Sequence, residues 1–169
     1  DKVGVLLLDD IGAAAKSVQV AAFRIVQERT TGDAKLSDNV RIICTTNRRE
    51  DKSGASTLPS ALLNRMIILQ IEPDLEEWTK WYAKKGYPNA LSAFLQFRPG
   101  HLSRLPKEAD KRGAFATPRS WEKLAECYDA ATTQDMVFDV ARGLVGEGVA
   151  TELMAFIRTM DKLPNPKEV

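Results

Sequence analysis

Val3 to Leu8 is an unbroken apolar run that ends in two adjacent carboxylates, Asp9 and Asp10. An apolar strand without polar alternation predicts burial on both faces, as in the middle of a parallel sheet. Lys16 to Glu28 follows a helical period and sets Val18, Ala22, Phe23, Ile25 and Val26 on one apolar side. Arg29 to Asn39 contains Thr31-Gly32-Asp33, a turn signal between two short segments that can pair as a hairpin. Val40 to Thr46 (VRIICTT) reads as a second core strand, and Arg48 to Thr57 as a charged, small-residue loop. Pro59 opens a short helix through Asn64, and Ile67 to Ile71 reads as a third apolar strand. Strands alternating with helices predict the α/β class with a parallel sheet.

The pattern changes at Glu72-Pro73. Asp74 stands as a helix cap with Glu77 three residues on, followed by Leu75, Trp78, Trp81 and Tyr82 at helical spacing. Further helices are predicted at Asn89 to Phe97, Pro118 to Ala131, Gln134 to Leu144 and Val149 to Leu163, with no strand pattern between them. The expected organisation is therefore an α/β segment over residues 1–72 and a small all-helical domain over 73–169. The chain starts at Asp1, two residues before a core strand, and stops at Val169 just after a helical pattern. It reads as a piece of a longer protein.

Composition narrows the function classes. The 169 residues carry 24 Lys and Arg against 23 Asp and Glu, and a net charge of +1 gives no basic footprint for nonspecific nucleic-acid binding. No apolar run is long enough to span a membrane, and no signal-peptide pattern is present. Cys44 and Cys127 fall in a strand and a helix pattern and read as free buried thiols in a reducing, cytoplasmic setting. His101 has no second ligand candidate nearby and reads as a surface or structural residue. Helical spacing makes Trp78, Trp81 and Trp121 core residues sooner than a stacking platform. Lys107 to Arg112 mixes signs, as a solvated loop does, and Gly143, Gly146 and Gly148 follow no strand and read as helix punctuation.

Candidate chemistry begins at Asp9 and Asp10. Ligands of parallel sheets bind beyond the carboxyl ends of the strands, where Asp9 can hold a magnesium ion through its water shell and Asp10 can orient a nucleophilic water. A polar strand end facing solvent is the plain alternative. Asn47 follows VRIICTT and, if the two strands are parallel neighbours, leaves the same sheet edge as Asp10, where an amide can hold a water or phosphate oxygen; asparagine at strand ends also serves turns. Arg65, before the third apolar run, either pairs with a local carboxylate or reaches a neighbouring subunit's phosphate, an effect of roughly 10³ or more in rate. In Ala116-Thr117-Pro118-Arg119, Thr117 is a natural N-cap and Pro118 a natural first residue, so Arg119 sits in the first helical turn. A cation there is disfavoured by the dipole unless both face an anion, or it points into water.

The ordered set of GVLLLDDIG, a hairpin leading into VRIICTTN, LPSALLNRM and ATPRSWEKLAE resembles the Walker B, sensor 1, arginine-finger and sensor 2 motifs of AAA+ ATPases. The hairpin before sensor 1 and the lid-like TPRSWEKLAE are similar to the MoxR-like branch, including its phage and bacterial members. The resemblance covers nearly the whole chain. It implies a partial parallel P-loop NTPase sheet followed by a helical lid, with ATP and Mg²⁺ as cofactors. It also implies that Asp9 is the magnesium-side acid and Asp10 the water-polarising acid. Asn47 becomes sensor 1, Arg65 a finger acting on a neighbouring subunit, and Arg119 a lid arginine serving its own or a neighbour's site.

Two departures stand out. Asp10 replaces the glutamate of most members, drawing the carboxylate back by roughly 1.5 Å, a misplacement that can cost about 10²-fold in rate if uncompensated, so slowed or normal hydrolysis is expected and not its loss; Ile11 to Ala15 is also less polar than the MoxR-like pattern. The phosphate-cradling G-x-x-x-x-G-K-[ST] is absent from the 169 residues, and Gly12-Ala13-Ala14-Ala15-Lys16-Ser17 is no substitute because Ala15 stands where the second glycine is needed. The chain by itself is expected to be inactive, lacking the central strand and phosphate loop. The intact protein is expected to be an ATP-hydrolysing ring, hexameric in type, that remodels protein clients in a chaperone-like way, often beside a von Willebrand A-type partner. The alternatives are a catalytically silent ring subunit and a DNA-directed helicase or loader. The hairpin tip argues against nucleic acid, offering Thr30, Thr31, Asp33 and the single cation Lys35.

Overall fold

Residues 3–47, 58–104 and 113–160 are described in a computed structural model, whose chain divides into two units, Asp1–Gln70 and Ile71–Val169. The loops read at Arg48 to Thr57 and Lys107 to Arg112, and the last helix beyond Met160, lie outside the described residues.

In the first unit, β1 (Gly4–Leu8) leads through a 3₁₀ turn at Ile11–Ala13 into α1 (Lys16–Glu28). A two-residue turn at Gly32 and Asp33 joins β2 (Thr30–Thr31) to β3 (Ala34–Lys35) as an antiparallel hairpin, with Gly32 at φ 56° where L side chains are strained. β4 (Val40–Cys44) then pairs with β1 in parallel, from Gly4 beside Val40 to Leu8 beside Cys44. α2 (Ser60–Leu63) is a single turn entered from Pro59.

Arg29 closes α1 in the left-handed region at φ 56°, its N–H on the Ile25 carbonyl at 3.1 Å. Its guanidinium Nη2 donates to the carbonyls of Ser37 at 2.6 Å and Val40 at 2.7 Å, fastening the hairpin to the start of β4. A planar fork with several donors suits two carbonyls better than an ammonium would.

The first unit departs from the sequence expectation in three places. Strand burial on both faces is not found: Leu6, Leu8, Ile42 and Cys44 are half-buried, whereas Val5, Leu7 and Ile43 are exposed. Leu8 and Cys44 pack with Ile11, Ala22, Phe23, Val26, Leu58 and Leu62, and no described element covers the opposite face. Along α1, Val18 is exposed and Gln19 is buried in its place. Gln19 Nε2 donates to the Ala14 carbonyl at 3.0 Å, which offsets the burial of a polar amide. Ile67 to Ile71 forms no strand; Ile67 is 90% exposed and Ile71 87%. A strand exists by its hydrogen-bonded neighbours, and among the described residues neither strand ladder includes this segment.

The second unit is helical. Asp74 caps α3 (Leu75–Lys84) by accepting from the Glu77 N–H at 2.8 Å. α4 (Asn89–Phe97) runs over the predicted residues, while α5 (Pro118–Tyr128) ends three residues short of Ala131. α6 (Gln134–Val145) and α7 (Glu147–Met160) are joined at Gly146. That glycine has φ 91°, and a Cβ on it would lie 2.6 Å from the Ala114 carbonyl oxygen. Of the three glycines, Gly146 alone punctuates; Gly143 and Gly148 fall inside helices.

Trp78, Tyr82, Leu91, Phe94, Trp121 and Leu153 anchor the buried core of this unit. His101 is structural: Nε2 meets Glu152 Oε2 at 3.1 Å, the ring stacks on Phe94, and its carbonyl accepts from Trp121 Nε1 at 2.7 Å. The two thiols are less enclosed than expected. Cys127 is exposed, because α5 buries Trp121, Leu124 and Ala125 on another side. Cys44 is half-buried, and that burial pushes its thiol pKa up.

Candidate functional site

The parallel pairing of β1 and β4 continues past the strands themselves. Thr45 N–H donates to the Leu8 carbonyl at 3.1 Å, and Ile11 N–H to the Thr45 carbonyl at 3.0 Å. Leu8 lies beside Cys44, so Asp9 and Asp10 leave the sheet at the same carboxyl-terminal edge as Thr45, Thr46 and Asn47. The exposed carboxylates and amide therefore share one edge.

Thr45 ties this edge together. Its Oγ1 donates to Asp9 Oδ1 at 2.5 Å and accepts the Asp10 backbone N–H at 2.8 Å. A hydroxyl on an ionised carboxylate makes a short, charge-assisted bond, roughly twice as strong as a neutral one. Asp10 itself stands at φ 48°, ψ 44°. The left-handed conformation costs an L residue about 1–2 kcal/mol, less for aspartate than for most, and such residues cluster at functional sites. Thr45 is not among the residues that the sequence singles out. Its signal was a hydroxyl residue at the strand end, but only the register shows which carboxylate it meets.

Arg65 follows α2 and is exposed. Its Nη1 donates to the Ala61 carbonyl at 2.7 Å, and the guanidinium lies over the Phe23 ring at 5.2 Å. Among the described residues it forms no ion pair. Arg119 lies in the second unit as the second residue of α5, exposed. Ahead of it, Thr117 Oγ1 accepts the Ser120 N–H at 3.1 Å and Ser120 Oγ accepts the Thr117 N–H at 2.8 Å. This reciprocal cap fixes the first turn that carries the arginine.

Among the described residues no three His, Cys, Asp or Glu side chains converge as a metal cage. One or two carboxylates at a sheet edge instead suit an ion that keeps several waters and takes further ligands from phosphates. Asp9, with Oδ1 engaged by Thr45 and a second oxygen to offer, fits that kind of site.

Residues 2–72, less than half of the chain, match the model of the Sigma-54 interaction domain. The Nif-specific regulatory protein of Enterobacter agglomerans is 38% identical over 80 residues, covering 44% of this chain and 15% of that protein. Ubiquitin-associated and SH3 domain-containing protein B of Mus musculus is 24% identical over 135 residues, 78% of this chain and 20% of that protein. The chain thus spans a fifth or less of the length of these curated relatives. No solved structure matches. No helix of the described residues is long and apolar enough to cross a membrane.

Proposed function

We propose that the intact protein is a magnesium-dependent ATPase of the AAA+ class that works as a ring, with this chain supplying the acid edge, the finger and the lid arginine. The observation that carries the reading is the shared edge of β1 and β4, where Asp9, Asp10, Thr45 and Asn47 emerge together. Magnesium, when bound, supplies charge neutralisation for the phosphates. Asp9 is the residue to hold it. Asp10 accepts a hydrogen bond from the attacking water and orients it, and Asn47 steadies that water or a phosphate oxygen. Arg65 is exposed, and among the described residues it rests on a carbonyl and a ring face, contacts that it can exchange for a phosphate of a neighbouring subunit. Arg119 is assigned to the phosphates of its own or a neighbour's site, residues 73–169 serving as the lid.

For the biological task, the MoxR-like reading of protein-client remodelling rests on the hairpin before β4 and the TPRSWEKLAE helix. Contact with sigma-54 is the second reading, favoured by the match over residues 2–72 and by the Nif-specific relative. Pull-down of sigma-54 by the full gene product separates the two. Nucleotide hydrolysis is tested by steady-state turnover across a protein-concentration series, with Asp10→Asn and Arg65→Ala alongside. Turnover per subunit is expected to rise with concentration and to fall at least about 10²-fold in each variant. A folded, magnesium-supplied assembly without turnover would replace this reading with the silent ring subunit.

A further inference from the structure

We propose that Thr45 is a positioning residue for the acid pair, and that its hydroxyl sets both the aim of Asp9 and the turn that presents Asp10. The proposal rests on the magnesium-nucleotide reading above and deepens it. One hydroxyl serves two neighbours at once: it donates to Asp9 Oδ1 at 2.5 Å and accepts from the Asp10 N–H at 2.8 Å. The first bond occupies one carboxylate oxygen and leaves Asp9 a second oxygen with a fixed direction. The second bond falls on a residue held at φ 48°, a conformation that carries a cost for an L residue.

Thr45 is itself placed by the sheet. Its N–H bonds the Leu8 carbonyl at 3.1 Å and its carbonyl accepts from Ile11 at 3.0 Å. The clamp therefore links two rigid strand ends and crosses 36 residues of sequence to do so. Groups that hold a metal-binding carboxylate by hydrogen bonds typically govern affinity or activity by about 10- to 100-fold. A shortened Asp10 arm makes the backbone position of that residue more important, since the side chain has less reach to correct an error.

The test uses the full gene product with Thr45→Val, Thr45→Ser and Asp9→Asn. Valine keeps the branched shape and the strand preference but removes the hydroxyl; serine keeps the hydroxyl. Mn²⁺ binding in the presence of ATP is followed by electron paramagnetic resonance, magnesium half-saturation by turnover, and folding by thermal melting. Thr45→Val is expected to weaken Mn²⁺ binding and raise the magnesium half-saturation about 10- to 100-fold, with serine within about threefold of wild type. The melting temperature should stay close to wild type, because the Asp10 N–H lies at the exposed edge and water can replace the lost acceptor. Valine with wild-type metal affinity, or serine as defective as valine, would overturn the positioning role while leaving the ATPase reading standing. Wild-type protein that is folded yet binds no Mn²⁺ with ATP would bring down the ATPase reading, and Thr45 with it.

Discussion

Tyr82 is nearly enclosed in the helical core, and its hydroxyl donates to the Pro88 carbonyl at 2.9 Å. Burial raises its pKa well above the ordinary tyrosine range, with smaller contributions from Asp129, Tyr87 and Tyr128. A folded-state pKa above the unfolded one gives stability that is complete below the unfolded value, about 10, and is lost as pH rises beyond it. Melting temperature should therefore fall from about pH 9 to 11, and Tyr82→Phe should make that fall shallower. The same substitution should cost about 1 kcal/mol at neutral pH through the lost hydrogen bond. Thermal melts of both proteins across that range check the slope; equal slopes would show that another group governs it. At this scale the residue types of the candidate site were legible, because acids, amide and arginines announce their chemistry. Thr45 and Gln19 were not, since a hydroxyl or amide acquires its role from the partner that folding supplies.

Among the elements, α5 shows how local sequence can fix a terminus. Thr117, Pro118 and Ser120 supply the cap, the first-turn proline and the reciprocal bond. Thr117→Ala should lower stability by about 1 kcal/mol, and Thr117→Ser should retain most of it; denaturant unfolding followed by circular dichroism measures both. Strands behave differently. β1 and β4 were legible as apolar runs and the β2–β3 hairpin as a turn signal, yet Ile67 to Ile71, with an equally apolar pattern, forms no strand. A helix satisfies its own backbone, whereas a strand depends on a neighbour that its sequence does not contain. The error at Val18 has a related origin. Residues one position apart on α1 differ by a wide angle, and the face that turns inward is chosen by what it packs against.

The whole molecule combines units of unequal self-sufficiency. The helical unit buries aromatic and aliphatic side chains from its long helices, while among the described residues the buried apolar set of the first unit is Ile11, Ala22, Leu58 and Leu62. Residues 71–169 produced alone should therefore unfold in one cooperative thermal transition with dispersed amide resonances; gradual melting would show that this core needs more of the chain. The sequence by itself determined the α/β character of the first part, the helices of the second and the chemical types of the candidate site, because periodicity, caps and side-chain chemistry are local properties. Tertiary structure alone decided which strand edge Asp9, Asp10 and Asn47 share, that Thr45 joins two of them, and that Gln19 faces inward. Those outcomes depend on register and packing between residues far apart in the chain, which no local pattern encodes.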